Sequence, residues 1–482
     1  MSFERSADLV IVGGGPAGLA AAAEAGAVGL ETVLIDERAS LGGQIYKQFP
    51  AGFRVKRPDR LGRHYSDGRK LIDAAEASGT EIMLESVAWG IWDRTVAVYR
   101  EGRDAGTIEA GQILLAPGAY DRPVVFPGWT LPGVISAGGA QALVKTQKVI
   151  PGERILMVGS GPLVLAFSAQ LHQLGANVVG VVEAAPFPRF SSAARIGAAA
   201  SGNVRQLTEG VGYLRYLRSA KVPYLYSHVI VRAEPGANGE VARAVVARVG
   251  TEWRPIGGTE RSFDVDTICV GYGFFPSVEL SRLCGCAHTY DENLGGYVPV
   301  RDADLRSSVP GILVAGDGAG VAGSAVAVQE GRLAAITAAR DSGALSREQA
   351  ATRARPVRAK LRRLQRFRAA LNATYAVGPG IYDLYEPSTV VCRCEEVTAA
   401  EVLENIVAGS ADPNSVKNVT RVGMGQCQGR NCARQVASLV AGKAGRRIDD
   451  MPSFSARPPV KPIPVALVAE ERPEEARKAE VG

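Results

Sequence analysis

The 482-residue sequence predicts an α/β protein built from two strand–turn–helix nucleotide-binding units and closed by a small helical domain that carries cysteines. An apolar strand at Asp8-Leu-Val-Ile-Val12 runs into Gly13-Gly-Gly15-Pro-Ala-Gly18, then an Ala-rich stretch, then a second strand at Thr32-Val-Leu-Ile35. The same pattern returns between Arg154-Ile-Leu-Met-Val158 and Val178-Val-Gly-Val-Val182. Each copy is a βαβ unit of the Rossmann-like kind. Four of the seven cysteines fall between residues 392 and 432, a clustering that suits a separate small domain and not a secreted disulfide framework.

The chain is longer than a single hydrophobic core supports, so several domains are expected. Hydrophobic residues at 46% and charged residues at 22% are ordinary for a globular protein, while 56 glycines with only 6% aromatics indicate many tight turns and close backbone approaches. The formal charge of +6 is spread along the chain and argues against a dedicated nucleic-acid surface. No basic-then-apolar leader opens the sequence and no window of about 18 residues is free of charges or breakers, which predicts a cytoplasmic protein without a transmembrane segment.

In the first fingerprint Gly13 permits the tight turn and Gly15 lets the backbone approach a pyrophosphate. Gly18 lets helix and strand pack closely, with Pro16 and Ala17 opening the helix whose N-terminus favours phosphate charge. Asp36, followed by Glu37, ends the next strand, where an acid holds ribose hydroxyls. The second fingerprint keeps Gly159 and Gly161 and ends its strand on Glu183, but Val164 replaces the third small residue. Glu183 would repel a 2′-phosphate, which disfavours NADPH. NAD(H), another adenine nucleotide and an empty vestigial site all stay open.

Three further segments fall in order along the chain: Gly42-Gly43-Gln44, Ala116-Pro-Gly118-Ala119, and Leu313-Val-Ala-Gly316-Asp317. With the first fingerprint they resemble the two-dinucleotide-domain flavoprotein family that includes thioredoxin reductase. The resemblance implies FAD in the first domain, held by Gly13, Gly15, Pro16, Ala17, Gly18, Asp36, Glu37, Gly43, Gln44, Ala116, Gly118, Gly316 and Asp317, the last on the ribityl chain. No Cys-x-x-Cys or Cys-x4-Cys pair occurs before residue 392, so a flavin–disulfide relay is excluded. Cys269, Cys284 and Cys286 read as buried thiols.

Cys392-Arg-Cys394 is followed after 32 residues by Cys427-Gln-Gly-Arg-Asn-Cys432. Two close pairs of thiolates can ligate two irons, with the flanking glycines supplying amide donors. A four-cysteine zinc site is the alternative, although zinc ribbons usually carry two-residue spacers and here the spacers are one and four. The segment resembles the bacterioferritin-associated-ferredoxin-like domain, which implies a 2Fe-2S cluster on Cys392, Cys394, Cys427 and Cys432.

Taken together, the flavoprotein core, a basic helix, the two cysteine motifs and the Arg457-Pro-Pro-Val460 tail resemble the alpha subunit of heteromeric amino-acid dehydrogenases, a family of opine oxidases, hydroxyproline and proline dehydrogenases and a hydrogen cyanide synthase. The resemblance implies an electron-transferring oxidoreductase subunit. Its partner would be a flavin-dependent beta subunit that oxidises a secondary amine or imino acid, and the complex has room for an FMN at a subunit interface and for a small gamma subunit. It also admits a peripheral position at the inner face of the membrane. A stand-alone NADH-dependent reductase of an external carrier is the first alternative and a redox-sensing binding module the second. The sequence singles out no catalytic acid–base residue: His172 lies in the helix after the second fingerprint, and His64, His228 and His288 are isolated along the chain.

The expected boundaries are 1–135 with 290–345 for the FAD domain, 150–285 for the second dinucleotide domain, 346–388 for a connecting helix and linker, 389–445 for the cluster domain, and 446–482 for a Pro-rich strap and charged tail. The helix carries eight Lys or Arg and no acid between residues 350 and 371. Its readings are a solvated face or a docking surface for a partner.

Overall fold

The computed structural model describes residues 2–49, 52–53, 63–187, 197, 204–406 and 411–470. The expected charged tail after residue 470 lies outside them. The first domain is organised on the strand Ser2–Val12, flanked in parallel by Thr32–Ile35 on one side and Ala105–Leu115 on the other. Glu81–Met83 extends the sheet beyond Thr32–Ile35, and Ile312–Val314 returns from far along the chain to pair with Ala105–Leu115. Ser86–Trp92 and Thr95–Arg100 complete it as an antiparallel meander. Leu9, Val10 and Ile11 are wholly buried, as a parallel strand covered on both faces requires.

The helix Pro16–Gly26 is nearly all small residues because a second helix, Ser324–Asp341, presses directly on it: a Cβ on Gly331 would stand 2.0 Å from the Ala17 carbonyl oxygen. The basic helix Arg347–Thr374 begins at a capping box between Ser346 and Gln349. It lays Ala350, Ala354, Val357, Leu361 and Leu364 onto the first domain's core. Arg353, Arg355, Lys360, Arg362, Arg363 and Arg366 remain exposed.

The second domain is a five-stranded parallel sheet in which Ile155–Gly159 lies between Val178–Glu183 and Thr267–Gly271, with Tyr224–Tyr226 and Val134–Ser136 at the edges. A three-stranded antiparallel sheet, His228–Pro235, Val241–Arg248 and Arg261–Asp264, packs beside it. The chain passes between the two domains through Ala119–Asp121 and Phe274–Pro276, which pair with each other. The cysteine segment follows as a short hairpin, Val390–Cys392 with Val397–Thr398, and the helices Ala399–Glu404, Pro413–Thr420 and Ala433–Ala444. Val391, Val402, Val416 and Val436 join one apolar cluster with Trp129 and with Val249 and Tyr272 of the second domain. From there the Pro-rich segment crosses back to the first domain, where the Val460 N–H donates to the Trp89 carbonyl at 2.9 Å and Lys461 pairs with Glu37.

Candidate functional site: two dinucleotide cradles and a cysteine quartet

At the first cradle, packing explains two of the three glycines and leaves the third to a ligand. A Cβ at Gly13, where φ is +111°, would lie 2.3 Å from the Ala116 carbonyl oxygen, and a Cβ at Gly18 would lie 1.9 Å from that of Gly13. At Gly15, by contrast, a Cβ would meet nothing nearer than the Gly43 Cα at 3.8 Å. The bare Cα there is therefore open to something that is not part of the chain. The structure gathers the other expected residues around this opening. Gly43 faces Gly15 closely enough that its own Cβ would fall 2.8 Å from the Gly15 Cα, Pro16 and Ala17 begin the helix behind it, and Gln44 is exposed beside it.

Asp36 is 8% exposed and accepts N–H donations from Gly14 at 2.6 Å and Arg38 at 2.8 Å, while burial raises its pKa. Glu37 is engaged by Lys461 of the strap. Asp317 directs Oδ1 at the N–H groups of Ala322 (2.9 Å) and Gly323 (2.8 Å), and burial raises its pKa also, against the pull of the Arg368 guanidinium. The backbone of Gly316 is pinned by a donation to Glu330, itself held by a two-pronged pair with Arg301. Gly118 has φ +79° with open space around it. These features fit an extended dinucleotide whose pyrophosphate passes over Gly15.

At the second cradle Gly159 and Gly161 take φ values of +157° and +101°. Glu183 is 1% exposed, accepts from Gly161 N–H at 3.0 Å and Ala185 N–H at 2.9 Å, and is pushed up to about 7 by burial. Val164 is fully buried, its Cγ2 filling the space a Cβ on Gly159 or Gly271 would need. Tyr375, just past the long basic helix, stands with its ring 4.0 Å from the position of a Cβ on Gly161.

The four cysteines come together from two chain segments. Cys392 hydrogen-bonds with Cys432, and Cys394 with Cys427. The bond to Cys432, with the amides of Gly423, Glu395 and Cys394, draws Cys392 down to about 6 against the opposing effect of burial, and the same bond pushes Cys432 up. Cys392 and Cys432 are buried, Cys427 is half-buried and Cys394 is exposed. Among the described residues no three His, Cys, Asp or Glu side chains converge as a single bound ion would require. The arrangement is two pairs of thiols, each beside amide donors, a donor set that a 2Fe-2S cluster would fit.

Other residues around these sites carry no sequence signal. Arg122, with a side chain 3% exposed, donates to Glu292 at 2.9 Å, and Arg434 donates to the other Glu292 oxygen at 3.1 Å. Burial would raise the pKa of Glu292, but the two guanidinium groups outweigh it and hold the carboxylate low. This bridge joins the first domain to the cysteine domain. A cavity of about 140 Å³ lies alongside, walled by Tyr120, Arg282, Tyr290, Arg430, Arg434 and Phe454 among others. Lys47, three residues past Gln44, is buried with no hydrogen-bond partner for Nζ among the described residues, and burial lowers it to about 8. Lone Arg and Lys residues far apart in sequence have no spacing to read, so only the motif arginine, Arg430, is within reach of pattern. His172, His228 and His288 each hydrogen-bond within the fold, to Tyr216, the Tyr226 carbonyl and Ser281 respectively.

Two strand–glycine–helix cradles in this order, joined by paired crossover strands, define an oxidoreductase of the flavin-dependent type. The chain belongs to the pyridine nucleotide-disulphide oxidoreductase family, whose model matches residues 7–343. Residues 386–472 match the sarcosine oxidase A3 domain. The chain is 34% identical to the opine oxidase A-type subunit of Agrobacterium tumefaciens (strain Ach5), covering 96% of this chain and 91% of that one. It is 35% identical to the hydrogen cyanide synthase subunit HcnB of Pseudomonas aeruginosa, over 94% and 97% of the two chains. In fold it is similar to the crystal structure of L-proline dehydrogenase from P. horikoshii, with a TM-score of 0.68 and 21% identity over 97% of this chain and 80% of that one. Among the described residues no helix is long and apolar enough to cross a membrane.

Proposed function

We propose that this chain is the electron-transferring FAD and 2Fe-2S subunit of a heteromeric dehydrogenase that oxidises a secondary amine or imino acid, such as an opine, proline, hydroxyproline or a sarcosine-like amine. The observation that carries it is the seating of the cysteine quartet against the flavoprotein core: Arg430, inside the second cysteine pair, stacks on Tyr120, two residues beyond Gly118 of the first cradle. FAD, when bound on Gly13–Gly18, Asp36 and Asp317, supplies two-electron chemistry, and a 2Fe-2S cluster on the four cysteines passes electrons singly. The chain's own residues orient these groups. Asp36 fixes the Gly14 turn, Glu330 fixes Gly316, and Gly423, Glu395 and Cys394 present amides to the Cys392 sulfur.

A catalytic beta subunit with its own flavin is the required partner, and a small gamma subunit is a further member. A second flavin, FMN, at a subunit interface belongs to the same reading: Arg434 over the Tyr290 ring and Arg430 over Tyr120 supply a phosphate-binding edge beside the cavity, which at about 140 Å³ is itself smaller than the whole cofactor. The second cradle keeps two of its glycines and a ribose-type acid, which supports an adenine nucleotide such as NAD there. This favours the alternative of a stand-alone NADH-dependent reductase, while Val164 and Tyr375 weigh against it. The test is co-expression with a candidate flavin-dependent beta subunit, followed by a dye-reduction assay with proline, hydroxyproline, opines and NADH. Amine-dependent reduction only in the complex is the expected result. NADH-dependent reduction by this chain alone would establish the reductase instead.

A further inference from the structure

Arg430 sits between two of the four cysteines, in Cys427-Gln-Gly-Arg-Asn-Cys432, and its guanidinium reaches four separate parts of the molecule. Nη1 donates to the Cys427 carbonyl at 3.1 Å and Nη2 to the Val460 carbonyl at 2.9 Å. Nε lies 3.1 Å from a Glu279 oxygen, in an ion pair with the first residue of the helix Glu279–Leu283. The plane is centred 5.2 Å from the ring of Tyr120. The side chain is 11% exposed, and Val460 is itself anchored to Trp89 in the first domain. One largely covered fork thus joins the cysteine loop, the Pro-rich strap, the helix Glu279–Leu283 and a crossover strand.

We propose that Arg430 is a positioning residue: it seats the Cys427–Cys432 loop against Tyr120 and so fixes where that cysteine pair stands relative to the cradle at Ala116–Gly118. A lysine cannot replace it, because an ammonium has no planar fork with which to hold two carbonyls while stacking on a ring. The surrounding loop needs such a clamp. Gln428, next in sequence to Cys427, has φ +52°, Gly429 has φ +83°, and a Cβ on Gly429 would meet the Phe454 ring at 2.7 Å. The seating belongs to the polypeptide, and only its effect on electron transfer rests on the reading of the quartet as a cluster site.

The test has two arms. In the first, the full-length iron-free chain is alkylated with iodoacetamide and each cysteine is followed by mass spectrometry, with fully buried Cys269 as the internal control for folding. Loss of one charge-assisted hydrogen bond corresponds to a factor of roughly ten or more in the opening of the loop. Arg430→Gln is therefore expected to speed alkylation of Cys427 at least about tenfold while Cys269 stays protected, with Arg430→Lys in between. Parental Cys427 reactivity in Arg430→Gln would overturn the proposal. Should Arg430→Gln also expose Cys269, Tyr120→Leu decides, since it removes the ring and hydroxyl that Arg430 meets while keeping the guanidinium's ties to the Cys427 and Val460 carbonyls: faster Cys427 alkylation supports the seating and a parental rate overturns it. In the second arm, cluster-loaded protein is titrated. Arg430→Gln is expected to lower the cluster's midpoint potential by the equivalent of roughly tenfold, about 59 mV for one electron, and Arg430→Lys, which keeps the charge, by less. An unchanged potential with faster alkylation would confine Arg430 to holding the loop. Failure of the parent chain to take up iron would remove the cluster reading and leave the first arm standing.

Discussion

Alanine at Gly15 and alanine at Gly18 should part company, although both remove a fingerprint glycine. At Gly18 the added methyl would sit 1.9 Å from the Gly13 carbonyl oxygen, more than 1 Å inside any contact that real side chains make, and that oxygen is backbone. Helix and strand must separate, an overpacking that costs about 1–3 kcal/mol. At Gly15 the methyl would meet only the Gly43 Cα at 3.8 Å, and the φ of −81° is one that any residue adopts. Gly15→Ala should therefore leave the apoprotein's stability unchanged or raise it by about 0.4–1 kcal/mol through the unfolded chain. Its methyl instead occupies the opening through which a pyrophosphate approaches. The expected outcome is that Gly18→Ala loses both stability and FAD, whereas Gly15→Ala keeps its unfolding midpoint and retains FAD at least tenfold more weakly. Denaturant unfolding of the apoproteins and flavin titration followed by fluorescence measure both quantities. Parental FAD affinity in Gly15→Ala would refute the assignment of that opening to the cofactor.

Cys427→Ser should remove iron and acid-labile sulfide while FAD remains bound, because the two sites share no ligand; elemental analysis and the visible spectrum check it. Glu183 is buried with its pKa pushed up to about 7 from 4.5. The native state therefore holds a proton that the unfolded chain has released between roughly pH 4.5 and 7, and stability falls as pH rises through that window. Glu183→Gln should flatten this dependence in denaturant melts at pH 5, 6, 7 and 8. Glu292→Gln removes the carboxylate charge that pairs with the buried Arg122 side chain and should cost about 3 kcal/mol. Proteolytic release of the cysteine domain should rise with it, read by timed digestion.

What could be read from the sequence was local. Gly13, Gly15, Gly18 and Asp36 lie within one βαβ unit, so spacing alone places them around one turn, and the two cysteine motifs announce themselves by residue type. Even there, spacing does not say that Gly13 and Gly18 answer to packing while Gly15 faces open space. That needs the Ala116 carbonyl, which a distant strand brings in. The long basic helix was legible as a helix, but its apolar stripe lies on the first domain's core, and its end brings Tyr375 over Gly161. The place of Glu37 directly after Asp36 suggests a cofactor contact, and only the fold shows Lys461, over four hundred residues away, engaging it. The same holds for the Arg122–Glu292–Arg434 bridge and for the cysteine domain's sharing of a core with the second domain. Such contacts have no period and no motif, because they join side chains whose neighbours in sequence serve other elements.

The most direct test of electron transfer through this chain is low-temperature EPR of the complex with its beta subunit, frozen after addition of the amine. A reduced iron–sulfur signal that appears only with both chains and the amine present, and disappears in Cys427→Ser, is the predicted result. A complex that oxidises the amine while the cluster stays oxidised, or a chain that gains the same signal from NADH alone, would contradict it.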